Sequence, residues 1–194
     1  MSKDRPFLAT RNKILILFQQ EMGGSTSATQ RPVSKETVKS LDVEAYSGEW
    51  YDVAHIPTPY QDGCSNSIAF YIREKDGIYI TNYCISNGKV TDKIEGRAYA
   101  PNPADSGKLL VEFEGLAWKR KGNYWVYDTD YDNYSLVGNG EGSAFWILSR
   151  TRQMNAALYN KLIRKMSLLG YDPELLIIHP LALVSKSVQE EARR

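Results

Sequence analysis

The chain has 194 residues, enough for one domain with a sizeable apolar core. Hydrophobic residues make up 42% of it, and the aromatic share of 11% is dominated by 13 tyrosines, which suit strands and pocket linings. The 24 basic and 23 acidic residues nearly cancel, so the charge predicts no nucleic-acid partner.

Residues 1–40 form a polar N-terminal arm that is expected to be partly disordered, with Ser, Thr, Gly and Pro concentrated at 23–34. Its apolar run, Ile14–Phe18, follows basic residues, as the core of an export signal does. The run has five residues, whereas a signal core needs about 7–15 and a membrane-spanning helix about 20. The sequence therefore favours a cytoplasmic or membrane-peripheral location over export.

From Leu41 the chain changes to short runs of β-branched and aromatic residues separated by Gly, Asn, Asp and Pro. Such runs predict an antiparallel all-β fold, and the short links between them favour an up-and-down order. Alternation along the second run places Ile68 and Phe70 on one face, which we assign to the interior. The predicted strands are 49–57, 65–74, 77–86, 89–99, 108–114, 123–129, 133–138 and 144–150.

One segment has helical spacing instead. Between residues 155 and 169, Leu158, Leu162 and Met166 recur every three to four positions, and Gly170 follows as a C-cap. This pattern predicts one amphipathic helix packed outside the sheet. The barrel domain, including this helix, is assigned to 41–180, and a charged tail to 181–194.

Three sequence blocks are more specific. They are Gly-Glu-Trp-Tyr at 48–51, the Tyr- and Asp-rich run at 124–138, and Phe-Trp-Ile-Leu-Ser-Arg at 145–150. Together they resemble the lipocalin family, in particular its bacterial lipocalin and apolipoprotein D group, over residues 41–180. The resemblance implies an eight-stranded antiparallel barrel with one C-terminal α-helix packed outside.

Four residues of these blocks are predicted to stabilise the barrel rather than to touch a ligand. Gly48 permits close backbone approach at the closed end, where Trp50 fills the interior. Arg150 arrives beside Trp50 from the last strand, and a guanidinium over an indole contributes about 0.5–2 kcal/mol. Asp130 lies in a tight turn, where its side chain can bond local backbone.

The resemblance also implies that the barrel carries a small hydrophobic ligand, such as a fatty acid, a lysophospholipid or a similar lipid, with a role in membrane maintenance or stress response. The interior of an eight-stranded barrel either fills with side chains or holds one small ligand, and the resemblance implies the second. Tyr60 is expected over the open mouth. The predicted ligand-binding residues are Ala54, Ile56, Tyr60, Ile68, Phe70, Ile80, Asn82, Ala98, Phe113, Trp125 and Trp146.

Two other functions stay open at this point. A lipocalin-like enzyme needs polar groups converging inside the barrel, and Asp52, Tyr127 and Cys84 are the candidates, although Asp52 has no evident partner. An interaction module would instead use residues 1–40 to recruit a partner. The sequence favours a carrier that is not an enzyme and needs no cofactor. We predict no metal site, because His55 and His179 show no zinc-ligand spacing.

The segment Trp118-Lys119-Arg120-Lys121 joins the fifth and sixth strands near the open mouth. An exposed Trp beside three cations suits an anionic lipid surface, so peripheral membrane contact is one expectation. The alternative is that Trp118 packs back onto a strand while the charges are solvated.

The sequence leaves a disulfide between Cys64 and Cys84 open. The hairpin register sets them three or four residues out of line, about 10–13 Å along a strand, beyond the Cα range of about 4.4–6.8 Å for a disulfide. A bulge or a folded first loop would close this gap, and the pair resembles one found in some bacterial relatives.

Overall fold

A computed structural model describes residues 32–114 and 121–179, and the backbone of 183–184. Eight antiparallel strands follow one another around a ring, and the first pairs with the eighth to close it. The all-β, up-and-down barrel predicted from the sequence is confirmed. The strands are β1 (Gly48–His55), β2 (Asn66–Glu74), β3 (Gly77–Ser86), β4 (Lys89–Tyr99), β5 (Lys108–Phe113), β6 (Lys121–Thr129), β7 (Tyr134–Gly138) and β8 (Phe145–Ser149).

Short elements surround this ring. The one-turn helix α1 (Val43–Tyr46) precedes the barrel, and the longer helix α2 (Ala156–Leu168) follows it. Strand β9 (Met154–Asn155) pairs in parallel with β11 (Leu183–Val184). Strand β10 (Ile177–Ile178) pairs with the end of β1, beyond the point where β2 has left it. Turns of 3-10 helix lie at Pro59–Gln61, Pro103–Asp105 and Pro173–Leu175.

Helix α2 lies against the outside of the barrel, as its spacing predicts. The Asn155 side chain accepts from the first backbone N–H groups, and Gly170 follows the helix with a positive φ of 88°. Leu162 and Met166 are fully buried, and Leu158 is partly buried. Among the described residues, no helix is long and apolar enough to cross a membrane.

The apolar core has two parts, one on each side of the barrel wall. Cross-strand pairs show which side chains share a face, because paired residues project to the same side. The cluster under α2 includes Val53, Ala54, Ile56, Tyr127, Leu136, Phe145, Ile147, Leu162 and Met166. The interior cluster includes Tyr46, Trp50, Tyr71, Ile78, Ile80, Ala98, Leu109, Val111, Val126, Val137 and Leu148.

The face assigned to the second strand is wrong. Trp50 fills the interior and pairs with Ala69, so the side chains beside Ala69, those of Ile68 and Phe70, point outward. Phe70 is 41% exposed. Both faces of β2 carry apolar residues, so alternation alone did not identify the inner one; the smaller Ala69 fits beside Trp50.

Three further residues predicted to face the interior lie outside it. A bulge between Asp52 and Ala54 shifts the register of β1, so Ala54 and Ile56 are buried beneath α2. Trp125 packs against the same outer cluster, and the ammonium groups of Lys35 and Lys108 lie 5.2 and 5.3 Å from its ring. One extra residue in a strand reverses every later side chain.

The described end of the N-terminal arm is packed against the barrel domain. The backbone N–H of Ser34 donates to the carbonyl of Leu169, and that of Val38 donates to the carbonyl of Val126. Thr37 is buried. The ordered domain therefore extends to the N-terminal side of residue 41.

The closed end of the barrel is built from the residues predicted to stabilise it. The Arg150 guanidinium lies 3.7 Å from the centre of the Trp50 ring and donates to three backbone carbonyls. A Cβ at Gly48 would lie 3.3 Å from that guanidinium, and its φ is 96°. Asp130 accepts from the backbone N–H groups of Asn133 and Tyr134, which fixes the turn before β7.

Candidate functional site

The interior is packed at its closed end and accessible at its open end. Along β3, the inward side chains Ile78 and Ile80 are 2% and 3% exposed, whereas the next inward residue, Asn82, is only half-buried. The same change occurs along β5, from buried Leu109 to half-buried Phe113. The inward side chains near the closed end are therefore packed, and those near the open end surround a part of the interior that is partly exposed to solvent.

We call this part of the interior the cup. Its lining is mainly apolar, with one amide and one hydroxyl group. The residues of the cup are Ser67, Ala69, Asn82, Ile94, Phe113 and Trp146, all inward-facing and half-buried. Tyr60 lies at the rim, half exposed, with its ring 6.4 Å from that of Phe113.

The loop after β1 folds into the mouth of the cup. The Gln61 amide donates to Asp52 Oδ2 at 2.7 Å, and its carbonyl accepts from Trp146 Nε1 at 2.8 Å. A disulfide between Cys64 and Cys84 ties the loop to β3, with the two Cα atoms 5.3 Å apart. The loop is thus held at both its tip and its end.

Beside the cup, Asp52, His55 and His179 form a buried polar cluster. His55 Nδ1 lies 2.8 Å and His179 Nε2 lies 3.4 Å from Asp52 Oδ2. Oδ2 also accepts from Gln61 and from Ser67 Oγ, the latter at 3.0 Å. We call these three residues the Asp–His cluster.

Burial and charge act in opposite directions on this cluster. Burial opposes ionisation of Asp52, but His179 and His55 hold the pKa of its carboxyl well below the usual range. Burial likewise disfavours the charged form of His179, but the Asp52 carboxylate raises its pKa overall. The cluster therefore contains a buried carboxylate charge.

Comparison with known proteins identifies the family. A family model described as a lipocalin-like domain matches residues 41–180. Temperature-induced lipocalin-1 of Arabidopsis thaliana is 38% identical over 146 residues, covering 71% of this chain and 77% of that protein. The chain belongs to the lipocalin family. The outer membrane lipoprotein Blc of Vibrio cholerae is 33% identical over 150 residues, covering 75% of this lipocalin and 86% of that protein.

A solved structure shows the same fold. Insecticyanin from the tobacco hornworm Manduca sexta superposes with a TM-score of 0.62 over 77% of this lipocalin and 90% of that chain, at 22% identity. This identity is low, so the similarity concerns the fold of the lipocalin barrel.

The structure divides the predicted ligand-binding residues of this lipocalin into groups. Asn82, Phe113 and Trp146 line the cup, and Tyr60 lies at its rim. Ile80 and Ala98 face the interior but lie buried below the cup. Ala54, Ile56, Ile68, Phe70 and Trp125 are not in the cup. A role of the first two groups in binding stays a prediction.

The sequence of this lipocalin did not predict that the two histidines lie side by side, because they are 124 positions apart in the chain. Pairing of β10 with β1 brings them together, and the backbone N–H of His179 donates to the Val53 carbonyl at 3.0 Å. The available signal was the apolar pair Ile177–Ile178 directly before a histidine, which is compatible with a strand added to the barrel edge.

The three residues named for the enzyme alternative do not converge in this lipocalin. Asp52 faces the interior, but Tyr127 packs beneath α2, with its hydroxyl 3.0 Å from that of Tyr171. Cys84 is held in the disulfide. The hairpin register was predicted correctly, since Asn66 pairs with Ile85. Cys64 lies before the start of this ladder, and the first loop places its Cα 5.3 Å from that of Cys84, which closes the gap.

The segment proposed for membrane contact lies mainly outside the described residues. Trp118, Lys119 and Arg120 belong to that part of the lipocalin. Lys121 begins β6, is exposed, and forms an ion pair of 2.7 Å with Glu112. A role in membrane contact therefore stays a prediction for this segment.

Proposed function

We propose that this lipocalin binds and carries one small hydrophobic molecule in the cup, without changing it chemically. The observation that carries this proposal is the change in burial along the strands. Inward residues are packed below Ile80 and Ala98 and half-buried above them. If the interior served stability alone, side chains would be expected to fill both halves of the barrel. Unfilled space loses van der Waals contacts and therefore costs free energy.

The lining of the cup determines which molecules fit. Ile94, Phe113 and Trp146 offer apolar and aromatic surface, so most of the binding free energy is expected from burial of hydrocarbon, at about 0.8 kcal/mol per methylene. The proposed ligand is therefore a fatty acid, a lysophospholipid or a similar lipid. Its chain lies in the cup and its polar group stays at the mouth.

The polar atoms of the cup are expected to orient the bound ligand. Asn82 Oδ1 is buried and has no hydrogen-bond partner among the described residues. Such an acceptor favours a ligand with a donor, for example a hydroxyl or an amide hydrogen, since an unpaired buried acceptor costs about 1–3 kcal/mol. Monoacylglycerols and lysophospholipids, which carry hydroxyl groups near the chain, suit this arrangement.

The surroundings of the mouth suggest where the carrier acts. We propose that the segment 118–121 brings the mouth to an anionic lipid surface, where an acyl chain can transfer. The disulfide of Cys64 and Cys84 favours an oxidising compartment, in contrast to the location expected from the N-terminal arm.

The direct test is mass spectrometry of lipids extracted from the purified full-length protein, followed by titration of the delipidated protein with lipids of increasing chain length. We expect a recovered lipid near one per chain and affinity that increases with length until the cup is filled. Recovery of no lipid, together with no binding at any length, would refute the carrier proposal.

A further inference from the structure

The Asp–His cluster brings a carboxylate and two imidazole nitrogens together. His55 Nδ1 and His179 Nε2 face Asp52 Oδ2 at 2.8 and 3.4 Å, but neither nitrogen has an aligned hydrogen-bond partner among the described residues. The other carboxylate oxygen, Oδ1, is buried and also has no partner there. The side chains of Asp52, His55 and His179 are only 3%, 6% and 3% exposed. Buried polar atoms are almost always paired, so three neighbouring exceptions indicate that something else fits between them.

A hydrogen bond of the other ring nitrogen of His179 fixes which tautomer the neutral ring adopts. Its Nδ1 lies 2.9 Å from the carbonyl oxygen of Ser65, which can only accept, so Nδ1 carries the hydrogen. In the neutral ring, Nε2 then presents a lone pair toward Asp52 Oδ2, 3.4 Å away. Two acceptors facing each other repel, unless a proton on Nε2 or a metal ion lies between them or beside them.

We propose that the Asp–His cluster binds one divalent transition-metal ion, with Zn²⁺ as the occupant. One ligand atom from each of Asp52, His55 and His179 lies within 4.8 Å of the other two. Bonds of about 2.0–2.1 Å that meet at tetrahedral angles place ligand atoms about 3.3 Å apart. Side-chain movements of about an ångström or less bring the three atoms to that spacing.

The surroundings of the cluster resemble those that support metal ligands. Metal-binding histidines commonly donate their second ring N–H to a carbonyl, as His179 does to Ser65, and ligating carboxylates are themselves hydrogen-bonded. Gln61 and Ser67 both donate to Asp52 Oδ2, which leaves Oδ1 unpaired. These contacts hold the ligands in place before a metal arrives.

The donor set selects the class of metal. Two imidazole nitrogens and one carboxylate oxygen suit Zn²⁺ and its first-row neighbours, whereas Ca²⁺ and Mg²⁺ prefer oxygen ligands alone. Three protein ligands leave one tetrahedral position for a water molecule or for a polar group of a molecule in the cup. The metal site does not depend on the carrier proposal, because the cup can bind hydrocarbon with or without an ion.

The composition of the chain makes the experiment unambiguous. The protein has two histidines, both in the cluster, and two cysteines, both in the disulfide. Zinc titration of chelator-treated full-length protein, followed by calorimetry, is expected to show one site. Asp52→Asn and His179→Gln should each weaken binding by at least about 10–100-fold, the loss that follows removal of even a supporting partner. Asp62→Asn, an exposed carboxylate of the same loop, is the matched control and should bind as the wild type does.

A second measurement needs no variant. In the nitrogen–proton spectrum of the wild-type protein the two imidazole rings belong to His55 and His179, and one equivalent of Zn²⁺ should shift both. The proposal is overturned if neither ring responds, or if folded Asp52→Asn and His179→Gln bind zinc as tightly as Asp62→Asn does. A response from both rings with loss in the two variants supports it, and the ring response decides if a variant does not fold.

Discussion

Replacing Arg150 with alanine should weaken the closed end of the barrel. The guanidinium donates to the carbonyls of Tyr131, Glu49 and Ala45 at 2.8, 2.9 and 2.7 Å. It also covers the Trp50 ring at 3.7 Å. One side chain therefore connects the turn before β7, the start of β1 and helix α1.

The magnitude follows from these contacts. Water can reach two of the three carbonyls after the change, so each hydrogen bond contributes about 0.5–1.5 kcal/mol. The cation–π contact adds about 0.5–2 kcal/mol. We expect Arg150→Ala to lower the free energy of unfolding by about 3–4 kcal/mol, and the melting temperature by about 10 °C for a chain of this size. Arg150→Lys, which keeps the charge but not the planar fork, should lie in between.

Thermal and urea unfolding measure this effect, with Arg152→Ala as the matched control. Arg152 is exposed, and its guanidinium lies 5.5 Å from the Tyr51 ring, so its removal should change stability by no more than about 0.5 kcal/mol. Trp50→Phe should be non-additive with Arg150→Ala, because the two side chains touch. Equal melting temperatures for the two arginine variants, or strict additivity in the double variant, would refute this account of the closed end.

Three further predictions concern the helix, the disulfide and the tyrosines. Leu162→Asp should unfold or aggregate the protein because Leu162 is fully buried, whereas Arg164→Asp on the exposed face should leave the melting curve unchanged; equal tolerance contradicts the packing of α2. Reduction of the disulfide, which joins Cys64 and Cys84 across 20 positions, should cost about 3 kcal/mol in urea unfolding, and no change on reduction contradicts this. Burial raises the pKa of Tyr46 to about 12, so the folded state keeps it neutral while the unfolded chain ionises near pH 10. Stability should therefore be complete below pH 10 and decrease as the pH increases toward 12, and a flat unfolding midpoint over that range contradicts it.

The strand order was predictable because turns and alternation are local properties of the sequence. Gly88 in the hairpin between β3 and β4 has a positive φ of 73°, a conformation that glycine adopts at low cost. The apolar spacing of Leu162 and Met166 likewise identified both the helix and its buried face. In each case residues close in the chain decide the structure.

The lining of the cup was only partly predictable, because the inner face depends on contacts between distant strands. Ala69 lies inside and Phe70 outside because Trp50 of β1 occupies the space beside Ala69. The bulge near Val53 reverses the faces along β1, and no local pattern announces it. His179 reaches His55 through pairing of β10 with β1, which is the contact least visible in the sequence.

The most direct test of the cup compares two neighbouring positions on β3 with opposite orientations. Asn82 faces the cup and Tyr83 faces outward. Asn82→Trp fills the cup and removes an unpaired buried acceptor, so the barrel should stay folded. Tyr83→Trp is the control, since it adds similar bulk outside the cup.

The measurement is calorimetric titration of lipids of increasing chain length into the delipidated wild type and both variants, after a thermal melt has shown that each is folded. We expect affinity to increase with chain length in the wild type and in Tyr83→Trp, and binding to be lost in Asn82→Trp. Binding by folded Asn82→Trp with wild-type affinity, or no binding by the wild type at any length, would contradict the claim that the cup holds the ligand.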